Sequence, residues 1–337
     1  MKLYNVAILG ATGAVGQTMI KVLEERNFPI NTLKVLASAR SAGKKLAFKD
    51  QELTIEEATS DSFIGMDIVL GAAENDIAKK FAKDIVDAGA IFIDNSSAFR
   101  LDENVPLVVP EVNGEDVAWN KGIIANPNCV TIIALAAVAP LHKHFGITRM
   151  IASSYQAVSG AGVGGIRELR QQIEADFKGE DKEIKTFPYQ IAYNVIPQIG
   201  GFDEVGYTSE EMKLQNEGRK ILHAPEMSVS CTCVRIPVFT SHSIAIQLEF
   251  DKEVNINQAK ELLANGEGIK LMDDPTNKIY PMPLETSHQD LVYVGRVRKD
   301  ISCNNGLALF CCGDQLRKGA ATNAIQIAET LVQKGLV

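Results

Sequence analysis

Two hydrophobic rhythms divide the chain. Through residue 128, short apolar runs alternate with stretches at helical spacing. The runs Tyr4–Leu9, Leu33–Ala37, Asp67–Gly71, Ile91–Asp94 and Gly122–Ala125 predict strands, and Val15–Glu25 and Ile77–Ala88 predict amphipathic helices. Strands alternating with helices imply βαβ units, hence a parallel sheet with helices on both faces.

Beyond residue 128 the pattern changes. Long β-branched runs predict strands at Arg149–Val158, Val229–Ile236, Ser243–Phe250, Leu291–Arg298 and Leu307–Cys312, with few helices between them, which suggests a mostly antiparallel sheet. Ser159–Gly165 reads as a glycine-rich loop ahead of a helix from Ile166 to Phe177. Residues 187–207 read as irregular, and Ser209–Leu222 as a helix. A closing helix, Gln315–Gln333, is expected to pack back on the first domain. The chain therefore reads as α/β with two domains: 1–128 plus 315–337, and an α+β domain over 129–314.

Composition narrows the function. Of 337 residues, 46% are hydrophobic and 23% charged, enough apolar residue for two cores. The net charge of −8, without a basic stripe, argues against nucleic acid as a partner but leaves anionic small molecules open. The apolar stretch Thr131–Leu141 is too short to span a bilayer, and Met1–Asn5 carries no signal-peptide pattern, so no membrane is expected and a cytoplasmic location is. The six cysteines form no C-x-x-C pair and no histidine stands at zinc-finger spacing, so no metal is expected. Cys231, Cys233, Cys311 and Cys312 lie in apolar runs and read as packing residues, while Cys303 has no distinguishing context.

The first strand ends in Gly10-Ala-Thr12-Gly13-Ala14-Val15-Gly16 and a helix follows at once. Glycines at that place permit a tight turn and let backbone N–H groups approach a pyrophosphate at a helix N-terminus. The second strand ends without the acid that usually binds a ribose; Ser38, Arg40 and Ser41 stand there, a set suited to a 2′-phosphate and so to NADP(H). The plain alternatives are a strand–helix turn and a solvated basic turn.

Cys129, in Asn126-Pro127-Asn128-Cys129, falls between a strand end and an apolar helix. Strand C-termini of such sheets bind ligands, and a helix N-terminus favours the thiolate that attacks carbonyls. Together with Ser154–Gly162 (Ser-Tyr-Gln-Ala-Val-Ser-Gly-Ala-Gly) and Arg235–Ser243 (Arg-Ile-Pro-Val-Phe-Thr-Ser-His-Ser), these motifs resemble the aspartate-β-semialdehyde dehydrogenase family, in the family's order and across nearly the whole chain. The compact length is similar to the shorter, Gram-positive-like bacterial branch.

The resemblance implies a Rossmann-type NADP-binding domain, an α+β catalytic and dimerisation domain, and a homodimer. The implied reaction is reduction of L-aspartyl-4-phosphate to the semialdehyde through a thioester on Cys129, with inorganic phosphate as the other product. It further implies that Gln156 orients the thioester, His242 handles protons, and Arg235 holds the substrate carboxylate. Arg100, Asn128 and Lys220 become phosphate contacts and Glu217 the amine contact, while Ser159, Gly160 and Gln315 face the cofactor. Read alone, Glu217 and Lys220 are an ordinary surface pair and Arg100 a loop charge. His242 shares a strand face with Ile244, Ile246 and Leu248, as a core histidine would. N-acetyl-γ-glutamyl-phosphate reductase shares the chemistry and is the rival enzyme; a non-catalytic homologue is the rival from another class.

Overall fold

The computed structural model describes residues 2–337. The chain divides into two compact units: residues through Asn128 with Ala320–Val337, and Cys129–Gly319.

In the first unit, β1 (Tyr4–Leu9) leads into α1 (Ala14–Glu25) and β2 (Ile30–Ala37). A two-stranded hairpin, β3 (Lys45–Phe48) and β4 (Gln51–Thr54), and a two-residue strand, β5 (Glu56–Glu57), come next. β6 (Ile68–Gly71), α2 (Asn75–Asp87), β7 (Ile91–Asp94), the single turn α3 (Pro110–Asn113) and β8 (Ile123–Ala125) complete the series. The sheet order is β5-β2-β1-β6-β7-β8, with every pair parallel. That is the doubly wound order, in which the strands on either side of β1 run outward in opposite directions and a crevice opens at its C-terminal end. β6 is buried at every residue, as expected of a central parallel strand covered on both faces. The C-terminal helix Thr322–Gln333 packs against α1, α3, β6 and β7, and Ala324, Ile325, Ile327, Ala328 and Leu331 join this unit's core.

The second unit opens with α4 (Cys129–Phe145), which is buried almost all round. Its apolar stretch is thus a core helix, packed against strands of the unit's sheet and against two of its helices. β9 (Ile147–Gln156), α5 (Gly162–Lys178), α6 (Ser209–Ile221), β10 (Ser228–Arg235), β11 (His242–Phe250), α7 (Ile256–Ala264), β12 (Ile269–Leu271), β13 (Val292–Lys299) and β14 (Gly306–Gly313) follow. The sheet runs β10-β9-β11-β14-β13-β12. Its three inner pairings are antiparallel, but both outer pairings, β10 with β9 and β12 with β13, are parallel. The sheet is therefore mixed, with antiparallel pairings in the majority as expected, because the helices of this unit carry the chain back to start each edge strand in the same sense as its neighbour.

Two local expectations do change. The glycine-rich loop is shorter than its composition suggests: a 3₁₀ turn covers Val158–Ala161 and α5 already begins at Gly162. The β3–β4 hairpin was not anticipated, since its charged residues hide the weak alternation of Leu46, Phe48 and Leu53. Among the described residues no helix is long and apolar enough to cross a membrane.

Candidate active site

The first unit holds a cleft where β1 and β2 end. Gly10 has φ +92°, and a Cβ there would lie 2.6 Å from the Ala72 carbonyl oxygen. A Cβ on Gly16 would strike the Gly10 carbonyl. These two glycines let the turn close onto the sheet. A Cβ on Gly13 would meet nothing nearer than 3.5 Å, so the fold itself leaves that position open, and Gly13 lines a cavity of about 430 Å³. Leu9, Gly10, Thr12, Ser38 and Ala39 line it from the β1 and β2 ends, and Ile77, Lys80 and Phe81 from α2. Ala14 and Val15 form the first turn of α1. Arg40 is exposed in the 3₁₀ turn Ala39–Ser41, next to the cavity-lining Ser38 and Ala39. Glu57, brought beside Ala37 by β5, lines the same cavity. A sequence search for an acid at the end of β2 does not reveal it, since it comes from a neighbouring strand.

Arg100 is buried in the loop after β7, where its Nη2 donates to the Asn95 carbonyl at 2.7 Å. Burial pushes the nearby Asp94 carboxyl up, opposed by hydrogen bonds from Ser96 and by the Arg100 charge. Asn126 is tied by donation to Asn95 Oδ1 and by acceptance from Asn323 Nδ2, both at 2.7 Å. Asn128, also buried, ends this unit.

In the second unit, Cys129 is the first residue of α4 and is partly exposed. The glycine at 319 packs against it: a Cβ there would lie 2.9 Å from Cys129 Cβ. Parallel register sets Gln156, the last residue of β9, beside Arg235, the last of β10. Arg235 is buried, its Nη1 donates to the Ala157 carbonyl at 2.6 Å, and its charge is within electrostatic reach of Cys129 and Glu210. Burial pulls the Arg235 guanidinium down from its ordinary value, while those negative partners oppose the shift.

His242 begins β11, fully buried. Its Nδ1 accepts from the Ala157 N–H at 3.1 Å, which leaves the proton of the neutral ring on Nε2. Burial, reinforced by Arg235, pushes its pKa down to about 3. Gly160 lies over both groups: a Cβ there would lie 2.7 Å from Arg235 Nη1 and 3.3 Å from His242 Cε1.

The carboxylate expected at Glu217 is a correction. Glu210 is the acid that meets this cluster: its Oε1 accepts from Gln156 Nε2 at 3.2 Å, its Oε2 accepts from Lys213 Nζ at 2.9 Å, and its charge acts on Arg235 and His242. Glu217 and Lys220 repeat the same spacing seven residues on, roughly 10 Å further along α6. At that level the helix runs beside α4, where a Cβ on Gly218 would lie 3.8 Å from Leu135 Cδ2. Lys213 likewise replaces Lys220 at the Gln156 level. The pairing of Glu210 with Lys213 carries the same i,i+3 signal as the pair at 217 and 220, so spacing alone could not choose between them.

Burial and neighbours make four of the other thiols harder to ionise. Hydrogen bonding to Cys233 and burial push the Cys231 thiol up, with the two sulfurs 3.6 Å apart. Burial raises Cys311, and Cys312 to about 12; it also raises Cys303. His142, near the end of α4, accepts on Nδ1 from the Ile147 N–H, and burial lowers its pKa. Among the described residues no cluster of His, Cys, Asp and Glu fits a metal.

Comparison with known proteins assigns the class from both units. Residues 5–119 match the family model "Semialdehyde dehydrogenase, NAD binding domain", and residues 138–318 match "Semialdehyde dehydrogenase, dimerisation domain". An aspartate-semialdehyde dehydrogenase of Bacillus subtilis is 49% identical over 341 residues, covering 99% of each chain. A crystal structure of aspartate semialdehyde dehydrogenase II from Vibrio cholerae, complexed with ASA, superposes with TM-score 0.95 at 43% identity over 99% of each chain. The Candida albicans enzyme, crystallised with NADP, gives TM-score 0.79 at 26% identity over the full length of both. The chain belongs to the aspartate-semialdehyde dehydrogenase family.

Proposed function

We propose that the enzyme carries out NADPH-dependent reductive dephosphorylation of L-aspartyl-4-phosphate to L-aspartate-4-semialdehyde, a step toward lysine and diaminopimelate, threonine, methionine and isoleucine. One observation supports the reading most strongly: Arg235, Gln156, Glu210 and His242 form one buried cluster, and the Arg235 charge reaches Cys129. Cys129 attacks the acyl phosphate, and inorganic phosphate leaves with its bonding electrons. NADPH transfers hydride to the thioester carbon, and the resulting alkoxide expels the thiolate as the aldehyde forms. No net proton is needed at the carbonyl, so neutral His242 serves by offering its Nε2–H to the developing oxyanion.

Arg235 suits the substrate α-carboxylate, since a planar fork binds it in two places. Glu210 takes the α-ammonium, and Gln156, held by Ser154 and Glu210, orients the carbonyl. Arg100, Asn128 and Lys213 are assigned to the phosphate. A carboxylate poised for an ammonium favours aspartyl phosphate over N-acylated substrates. Ser38, Arg40 and Ser41 receive the 2′-phosphate, and Gly10, Thr12, Gly13 and Gly16 the pyrophosphate.

A homodimer is proposed through the open face of the second sheet. Ile151, Tyr155, Ala245 and Phe310 lie on this face, with Tyr155 and Phe310 ring centroids 6.4 Å apart. Tyr155 is 37% exposed on this face, where the register also sets Ser153 and Gln247.

The thioester is tested in the oxidative direction without phosphate. Aspartate semialdehyde and NADP should give a rapid burst of about one NADPH per active site, with the acyl group on the Cys129 peptide by mass spectrometry. A burst of equal size in Cys129→Ala would remove the cysteine from the mechanism.

A further inference from the structure

Residues 179–208 join α5 to α6 as a long irregular connection, and two buried side chains one turn apart on α5 hold it. Glu168 Oε2 accepts from the backbone N–H of Lys185, at 3.1 Å, and from that of Thr186. Gln172 Oε1 accepts from the N–H groups of Ile191 and Ala192, at 3.0 and 2.9 Å. Gln172 Nε2 donates to Glu168 Oε1 and to the Glu183 carbonyl, which ties the two side chains together. The glycines at the start of α5 make room for the anchored residues. A Cβ on Gly164 would lie 3.2 Å from Thr186 Oγ1, and one on Gly165 3.0 Å from Phe187 Cζ.

The anchored connection delivers two residues to Arg235. Ile196 exchanges both backbone hydrogen bonds with it, at 2.9 and 2.8 Å. Phe187, buried with Val158, Leu169 and Ile191, sets its ring against the guanidinium, the ring centroid 5.9 Å from Arg235 Cζ. A buried guanidinium has lost hydration, and the negative face of an aromatic ring offsets part of that loss. The hydrogen bond from Nη1 to the Ala157 carbonyl fixes one corner of the group. A fork that grips a carboxylate at two atoms needs its plane fixed as well, and the ring is placed to do this.

We propose that Phe187 is a positioning residue for substrate recognition: anchored through Glu168 and Gln172, its ring sets the plane in which Arg235 receives the substrate carboxylate. This role rests on the assignment of Arg235 to that carboxylate under the proposed function.

The experiment uses the full-length enzyme with Phe187→Leu, which keeps an apolar side chain and removes the ring face. KM for aspartate semialdehyde should rise about tenfold, and so should KM for succinate semialdehyde, which keeps the carboxylate and lacks the amine. With β-alanine semialdehyde, which keeps the amine and lacks the carboxylate, KM should change less than about twofold. In every case kcat and KM for NADP should stay within about threefold of wild type. A ring that only fills space would raise KM for all three aldehydes together; that pattern, or no rise with any of them, would overturn the proposal. Trifluorination of the Phe187 ring keeps its shape and withdraws charge from its face, so it tests the same point if Phe187→Leu does not fold. It should reproduce the selective rise, and wild-type KM values would overturn the ring's role. A readout without turnover separates this role from the assigned reaction. Succinate should protect Cys129 from alkylation, with a half-protecting concentration about tenfold higher in Phe187→Leu. That shift in an enzyme unable to oxidise the aldehydes would fault the assigned reaction and leave the role of Phe187 standing. Equal protection of variant and wild type would overturn it.

Discussion

At the scale of the residue, the proposed chemistry rests on making one thiol reactive and keeping one imidazole neutral. Cys129 is partly exposed at the start of α4, and Arg235 stands within reach of its charge. Burial and neighbours hold Cys231, Cys303, Cys311 and Cys312 protonated. A thiol reagent at neutral pH should therefore modify Cys129 first, with substrate protection, and peptide mapping reads the order; prior labelling of Cys303 would contradict the assignment. His242 makes a prediction about stability. Its folded pKa of about 3 lies below the ordinary value near 6.5, so the unfolded chain binds more protons between those limits. Its contribution is intact above pH 6.5 and lost as pH falls toward 3, at most about 1.4 kcal/mol per pH unit. Denaturant melts of wild type and His242→Gln should show a shallower decline in the variant across this window; parallel curves would place the imidazole in a wetter setting. In the proposed cofactor site, Arg40, exposed beside the cavity, is assigned to the 2′-phosphate alone. Arg40→Ala should weaken NADPH by about 1.5–3 kcal/mol and leave NADH nearly unchanged. Equal losses in titrations of the two cofactors would contradict that role.

At the scale of the element, α6 shows what a sequence can and cannot carry. The helix was legible from its period, and its start is explained by the reciprocal capping of Thr208 and Glu211. Which of its two Glu-x-x-Lys pairs meets the chemistry was not legible. Seven residues make nearly two full turns, so Glu210 and Glu217 share a face. Only the meeting of the helix N-terminus with the end of β9 selects Glu210. Glu210→Gln should raise KM for aspartate semialdehyde at least tenfold and affect an analogue without the amine far less; Glu217→Gln should not show that difference. Steady-state kinetics of both variants with both substrates decides it, and the reverse pattern would restore Glu217. Similar reasons explain the other gaps. Glu57 enters the nucleotide cleft from β5, a two-residue strand without a readable pattern. The early start of α5 is hidden because Gly162, Gly164 and Gly165 resemble a loop in composition, while Gly165 is there for close packing on the Val158 carbonyl. By contrast, β1, β7 and α1 were legible almost to the residue, since buried parallel strands and an amphipathic helix write strong periods.

At the scale of the whole molecule, two covalently joined units divide the labour. The doubly wound sheet of the first provides a nucleotide cleft where β1 and β2 end. The second presents a thiol from the start of α4, an arginine and a carboxamide from the ends of β10 and β9, and an imidazole from the start of β11. The second sheet uses its helix-covered face for its core and leaves Tyr155 and Phe310 on the other. Tyr155→Glu should shift the protein toward monomer in sedimentation at micromolar concentration, while an unchanged mass would remove this face as the dimer interface. The central claim, a phosphate-dependent aspartyl dehydrogenase working through Cys129, meets its most direct test in one assay. Purified enzyme is given NADP and inorganic phosphate with either aspartate semialdehyde or N-acetylglutamate semialdehyde, and NADPH is followed at 340 nm, a wavelength set by the cofactor. We expect sustained, phosphate-dependent turnover with aspartate semialdehyde, at least about a hundredfold faster than with the N-acylated substrate, about 2.7 kcal/mol of discrimination from the Glu210 site. Comparable rates with the two substrates, or sustained turnover without phosphate, would contradict it.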